Sequence, residues 1–344
     1  MADFTNIDGV YAKDTELRSG IDTLRTTVLS NTIKPLTVTK NGTYTAIPSS
    51  GTYGYSPITV DVQEEPWEPL QDGYSNFWFE LDNDTLSPWL NFSAKNNNAT
   101  IDWGDGSGEV ALDTLTPTHT YSKAGKYIVK CKGVTGIGRQ NTPPYNGYQD
   151  VLVNVELNAD VNSLITYCFS HCFSLKNVII NNASATVEQV AFGQCCNIES
   201  VVLPANLTNV STSTFNGAYK LKSVQFPSGA LSFGTSVFYN CYSMNSCTIP
   251  ATVTSIGNTC FMNCFSLVEI HCLSTVPPTL GTNVFGNLPT NFIIYAPVGY
   301  GDTYKQAEGW STYADHIVEE GQTLSMAALR RIQAEKNDNG EEMR

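Results

Sequence analysis

The side chains in this chain with chemistry to offer are ten cysteines, four histidines and a pair of aspartates in a glycine-rich turn. Ten thiols could form a disulfide framework or hold a metal. Their placement argues against both. Cys172, Cys195, Cys241 and Cys264 recur in one column of a sequence repeat, where one unit carries Ala218. Cys168 and Cys260 share a column with Ala191, Thr214 and Val237, and Cys247 stands where other units carry Val or Ile. Cys272 takes an Ile, Leu or Phe position, and Cys196 falls in an aromatic column with Phe173, Tyr219, Tyr242 and Phe265. In such columns cysteine acts as a small buried hydrophobe. No His pair at zinc-finger spacing accompanies the Cys168–Cys172 or Cys260–Cys264 pairs. Free thiols fit synthesis in a reducing cytoplasm. His119, His171, His271 and His316 stand in no nucleophile or metal motif, and there is no phosphate loop or nucleophile elbow. The expectation is a protein with no catalytic centre, cofactor or metal. Asp102 and Asp105 could contribute to a calcium site, but two carboxylates alone make a poor one. The favoured reading is that they cap a hairpin turn with a packed Trp103.

The elements that position these residues are set by a period. Phe169, Phe192, Phe215, Phe238 and Phe261 are 23 residues apart, and Phe285 follows after 24. Leu175, Ile198, Leu221, Met244 and Leu267 keep the same step, as do Val178, Val201, Val224, Cys247 and Ile270. A repeat in the low twenties specifies a solenoid whose units bury their apolar faces only against their neighbours. Glu269–Cys272 alternates outward and inward as a half-buried strand requires. Pro204, Pro227 and Pro250 end the strand in three units, and Gly257 suits a position needing a permissive backbone. The unit x-F-x-x-C-x-x-L-x-x-V-x-I-P closely resembles the BspA-like leucine-rich repeats of bacterial surface and phage proteins. The resemblance covers 162–315 and includes a terminal cap from Ile294-Tyr295-Ala296-Pro297 through Trp310 to Tyr313. It implies an interaction scaffold, with members linked to adhesion, and not an enzyme.

The segment 72–136 has a different grammar. Phe77-Trp78-Phe79 and Thr100-Ile101-Asp102-Trp103 read as strands, and Gly104-Asp105-Gly106-Ser107-Gly108 as a tight turn. Together with His119-Thr120-Tyr121 and Gly125-x-Tyr127-x-Val129, this resembles the PKD family and implies an immunoglobulin-like β-sandwich used for spacing or binding.

Upstream, Ile7, Val10, Leu17, Ile21, Leu24 and Val28, with Asp14, follow steps of three and four. That spacing predicts a helix over 1–35, serving either as an oligomerisation seam, with a trimer favoured, or as an amphipathic helix docked on a neighbouring domain. A small β module at 36–63, resembling one that recurs in phage tail and fibre proteins, and an acidic, Pro-rich linker at 64–71 follow. A junction at 137–161 joins sandwich to solenoid. A capped helix and polar tail fill 316–344, free or docked on a partner. The fold class expected is mainly β and modular: N-terminal helix, small β module, sandwich, solenoid with a C-terminal cap.

Formal charge is −13, with 19 Lys plus Arg and no basic run, so nucleic-acid binding is not expected. No apolar run is long enough for a membrane span. The start, Met1 to Asn6, has neither the basic nor the apolar part of a secretory signal. A virion protein made in the host cytoplasm reconciles that with a surface-type repeat, and a fragment lacking its signal would do so too. Candidate binding residues are the outward positions Lys176, Glu199, Lys222, Gln225, Glu269 and His271, and the junction tyrosines Tyr145 and Tyr148. The expected partners are other virion structural proteins and a host cell-surface glycan or protein. The function expected is host attachment by a tail-fibre, baseplate or capsid-fibre component. A bacterial cell-surface adhesin and a purely structural decoration protein are the alternatives.

Overall fold

The computed structural model describes residues 69–81, 90–138, 151–227, 229, 231–325 and 328–332, with the backbone of three short strands nearer the N-terminus. The chain divides into two compact units, 1–69 and 70–344.

In the first unit, β1 (Val10–Tyr11), β2 (Gly42–Ala46) and β3 (Ile58–Val60) form an antiparallel sheet in that order. Val10 pairs with Ala46 and Gly42 with Val60. The N-terminal helix expected through Val10 is therefore corrected: Val10 is in a strand. A β-branched residue and an aromatic one favour the pleat, and the adjoining Gly9 disfavours a helix. Ile7, Leu17, Ile21, Leu24 and Val28 lie outside the described residues, and with them the proposed seam.

The second unit begins with β4 (Ser75–Leu81), β5 (Phe92–Asp102), β6 (Glu109–Ala111), β7 (Gly125–Ile137) and β8 (Leu152–Leu157). Among the described residues these are joined by antiparallel pairing in the order β6–β5–β7–β4–β8. Beyond β8 the sheet does not stop. β8 pairs in parallel with β10 (Asn177–Ile180), and the end of β7 pairs in parallel with β9 (Ser163–Leu164). A solenoid's first coil would otherwise expose a row of unpaired backbone groups; β4 and β7 occupy that edge.

The coils then repeat. One ladder continues through β12 (Ser200–Val202) and β14 (Ser223–Gln225), then β16 (Ser246–Ile249), β18 (Glu269–Cys272), β20 (Ile293–Ala296) and β21 (Ile317–Glu319). The other runs β9–β11 (Thr186–Val187), then β13 (Asn209–Val210), β15 (Leu231–Phe233), β17 (Val253–Ile256) and β19 (Thr279–Leu280). Register follows the period, with Asn177 opposite Ser200 and Ser200 opposite Ser223.

Between the ladders lies the phenylalanine turn. Each coil bends there through two residues in the left-handed region, such as Ser236 and Asn240 or Thr259 and Asn263, with positive φ of 51° to 64°. Asparagine tolerates that conformation best among non-glycines. Asn263 and Asn287 also donate side-chain bonds to the previous asparagine of their column, at 2.9 and 2.8 Å. The phenylalanines are buried and stack face to face, with centroids 5.1 to 5.8 Å apart from Phe169 through Phe285. The cysteine column is more than filler. The thiols of Cys195, Cys241 and Cys264 donate to the carbonyls of Phe169, Phe215 and Phe238, at 3.0, 3.4 and 3.1 Å. Gly257 is required by close approach and not by φ: a Cβ there would sit 2.6 Å from the backbone of Gly234 on the preceding coil.

The C-terminal end is closed by a short helix, Gly301–Gln306, a 3₁₀ helix, Trp310–His316, and β21. Tyr304 Oη donates to Ser274 O at 2.8 Å, and Trp310 Nε1 donates to Pro278 O at 2.7 Å. The following helical turn, 328–332, docks on this unit. Ala328 N donates to Ser325 Oγ, Ala328 and Ile332 are buried, and Arg331 grips Asp315 with two bonds. No helix of the described residues is long and apolar enough to cross a membrane.

Candidate binding face

The outward side of the first ladder is built in columns. One runs Asn154, Asn177, Ser200, Ser223, where Asn177 Nδ2 donates to Asn154 Oδ1 at 2.9 Å and Ser200 Oγ donates to Asn177 Oδ1 at 3.3 Å. The neighbouring column runs Glu156, Ile179, Val202, Gln225. Lys176, Glu199 and Lys222 precede the strands by one residue and form a third column through backbone bonds from Glu199 N to Lys176 O and from Lys222 N to Glu199 O. Lys222 Nζ reaches Glu199 Oε2 at 2.7 Å, with Lys222 exposed and Glu199 half-buried. Such a pair contributes at most about 1 kcal/mol, so it remains open to exchange for a ligand's charge.

Glu269 and His271 sit farther along, on β18. His271 stacks on Tyr295, centroids 4.7 Å apart and rings 9° from parallel. Its Nδ1 is 2.8 Å from Glu320 Oε1 and its Nε2 is 3.9 Å from Glu269 Oε2. Burial, and then the charges of Glu269 and Glu320, push the Tyr295 hydroxyl pKa up. The sequence-named residues therefore fall into two groups on one face: Lys176, Glu199, Lys222 and Gln225 towards the start, Glu269 and His271 towards the cap. Tyr295 was missed, although it stands 24 residues after His271 in the same column. Glu320 had no signal. Tyr145 and Tyr148 lie outside the described residues.

Glu156 is a second residue that sequence spacing missed. It occupies an outward column yet is 1% exposed. Its carboxylate accepts from Leu70 N at 2.9 Å, Gln71 N at 3.1 Å, Asn76 Nδ2 at 3.2 Å and Asn181 Nδ2 at 3.4 Å. One buried charge thus ties the entry of the unit, β4 and the first coils together, with its lone pairs filled as burial demands.

The other candidate centres are structural. Asp102 accepts from Gly104 N at 2.9 Å and Asp105 from Ser107 N at 3.0 Å, holding the turn. Asp105 Oδ2 also meets His119 Nε2 at 2.8 Å, and that ring stacks on Trp103. Bonds from Ser107, then His119, hold the Asp105 carboxyl pKa down at about 2. A Cβ at Gly104, at φ +73°, would lie 2.4 Å from Ile128 O, so only glycine fits that turn. All ten cysteines are free, nine of them buried. Burial pushes Cys247 and Cys264 up to about 12, so these thiols are not nucleophiles at neutral pH. Among the described residues no three of His, Cys, Asp and Glu converge as metal ligands would.

Residues 145–268 match the family model described as a BspA type leucine-rich repeat region, in six copies. A comparison with curated proteins finds no match. Among solved structures, a leucine-rich repeat protein from Bacteroides ovatus is 24% identical over 46% of this chain and 40% of its own, with a TM-score of 0.39. A leucine rich cell surface protein from Faecalibacterium prausnitzii is 24% identical over 51% and 55%, with a TM-score of 0.34. The leucine-rich repeat protein of T. pallidum is 21% identical over 43% and 60%, with a TM-score of 0.29. The chain thus spans less than two thirds of the length of each of these proteins. The repeat region of this chain is a BspA-type leucine-rich-repeat domain, folded as a β-solenoid.

Proposed function

We propose that this protein is a phage virion surface component, in a tail fibre, baseplate or capsid fibre, that uses its solenoid for attachment to the host cell surface. It acts by binding and not by catalysis. The observation that carries the reading is the ladder face, a register-locked row of Asn177, Ser200 and Ser223 with Gln225 in the neighbouring column, flanked by the Glu199–Lys222 pair. Rigid parallel rungs hold such side chains without an ordering cost at each contact. Many copies on one particle would sum weak contacts into avidity. The BspA-type repeat is also compatible with a bacterial cell-surface adhesin. Antibody against the folded 70–344 unit, applied to purified particles and to intact bacteria, separates the two. Labelled particles whose adsorption the antibody blocks support the virion role. Unlabelled particles with labelled cells overturn it in favour of the adhesin.

A further inference from the structure

The first ladder of the solenoid lacks one rung. Parallel pairing joins β10 to β12 and β12 to β14, and again β16 to β18 and β18 to β20. Between β14 and β16 one sheet ends and another begins. The backbone bonds that lead into the rungs break at the same step. Glu199 N donates to Lys176 O, Lys222 N to Glu199 O and Val268 N to Asn245 O, whereas among the described residues none runs from Asn245 to Lys222. The turn side of these two coils stays joined. Phe215 N donates to Val237 O at 2.9 Å, Gly217 N donates to Tyr239 O at 2.8 Å, and Phe215 stacks on Phe238 at 5.6 Å. β15 and β17 stay paired too. The second ladder also breaks, between β11 and β13, but there Ser211 Oγ donates to Val187 O at 2.9 Å, and Val187 and Val210 are buried. At the β14 step water reaches the inward columns. Val224 and Phe226 are half-buried, whereas their column neighbours Val201 and Cys247, and Leu203 and Ile249, are buried.

The cause is volume. Phe226 stands in a column with Ile180, Leu203, Ile249 and Cys272, and Phe233 in a column with Val187, Val210, Ile256 and Leu280. Among these coils this one alone puts a ring in both columns. The two rings meet at 5.0 Å, and each meets Phe238 edge to face, at 6.1 and 5.9 Å. Extra volume in a packed core is relieved by backbone shifts. One such shift is the slip in register of β15 against β17 between Leu231 and Ser232. The other is the missing rung. A coil step held on two sides and released on the third has the form of a hinge between rigid neighbours. It also divides the ladder face, with Gln225 on one side and Glu269 on the other. We propose that the β14–β16 step is a hinge, held ajar by Phe226 and Phe233, that opens and closes the ladder side of the solenoid and so lets the two halves of its face adjust their spacing. The hinge stands whether or not the face serves attachment.

The test uses the full chain in a C196S background, which removes the half-buried thiol and leaves the nine buried ones. Nitroxide labels are attached to N177C/S223C, within one half of the face, and to S200C/S246C, across the hinge. Their separations are read by dipolar electron paramagnetic resonance in frozen solution. Each pair is two rungs apart, a span of about 10 Å between paired strands. The first pair is expected to give a narrow distribution. The second is expected to be broader and shifted to longer distance, and to narrow towards the first in F226L/F233V. F226L alone keeps the comparison available if the double exchange does not fold. Equal distributions for the two pairs, a longer separation across the step that is as narrow as the first, or a breadth unchanged by the ring exchanges overturns the hinge.

Discussion

Replacing Phe215 by alanine tests how the solenoid is held together. Phe215 is fully buried, between Phe192 at 5.5 Å and Phe238 at 5.6 Å, both within 8° of parallel. Deleting a buried phenylalanine costs about 3–5 kcal/mol. Of that, roughly 0.5–1.5 kcal/mol belongs to each ring pair beyond area burial, so F215L, which keeps most of the apolar volume, is expected to lose about 1–3 kcal/mol. The position adds a second effect. Stability in a solenoid is a sum of unit and nearest-neighbour terms, and Phe215 lies mid-stack, with coils closed by β4 on one side and by the Trp310 cap on the other. Cutting the coupling there lets the two halves unfold apart. Urea titrations followed by fluorescence and by circular dichroism are expected to coincide for the parent chain and to separate, with a lower apparent m, for F215A. A cost below about 1 kcal/mol with coincident transitions would refute a stack that transmits stability from coil to coil.

Four further outcomes follow from the same geometry. E156A strands the buried amide donor of Asn76, at about 1–3 kcal/mol for that unsatisfied group, and releases the bonds from Leu70 N and Gln71 N; thermal unfolding is expected to show the loss. G257A forces a Cβ into the Gly234 backbone and is expected to destabilise by about 1–3 kcal/mol, read from the urea midpoint. Asp105 has a folded pKa of about 2, below its ordinary carboxylate value. Its stabilising contribution is therefore full above the unfolded pKa and is lost as pH falls through the folded one; the acid limb between about pH 4 and pH 2, followed by Trp103 fluorescence, should shrink in D105N. In the native chain a thiol reagent is expected to modify Cys196 first and to reach the nine buried thiols only on unfolding. A fast reaction of several thiols would contradict the buried columns.

The solenoid was legible because its columns repeat locally, and each column carries its meaning in residue type. The first rung was legible too but was passed over. Leu152, Val155 and Leu157 stand 23 residues before Leu175, Val178 and Ile180, and β8 pairs with β10 in that register. Asn146, at the phenylalanine position, hid it. The turn chemistry of Gly104 and Asp105 could be read from sequence, but the partner of the sheet could not. Whether β4 faces a second layer or joins the solenoid is a pairing across about 80 residues, and no local pattern encodes it. Glu156 was unreadable for the same reason: its column faces outward until Leu70, Gln71 and Asn76 fold over it. Of the binding face, the polar ladder was visible as a period, whereas the meeting of His271 with Glu320 depends on how the cap returns the chain.

Attachment through the ladder face is tested most directly by binding of the full chain to intact host bacteria, comparing the parent with Q225R and T248R, two outward substitutions on exposed residues of β14 and β16. Saturable binding by the parent and a loss of at least tenfold in the variants, at unchanged melting temperature, is the predicted result. Equal binding by parent and variants would contradict it.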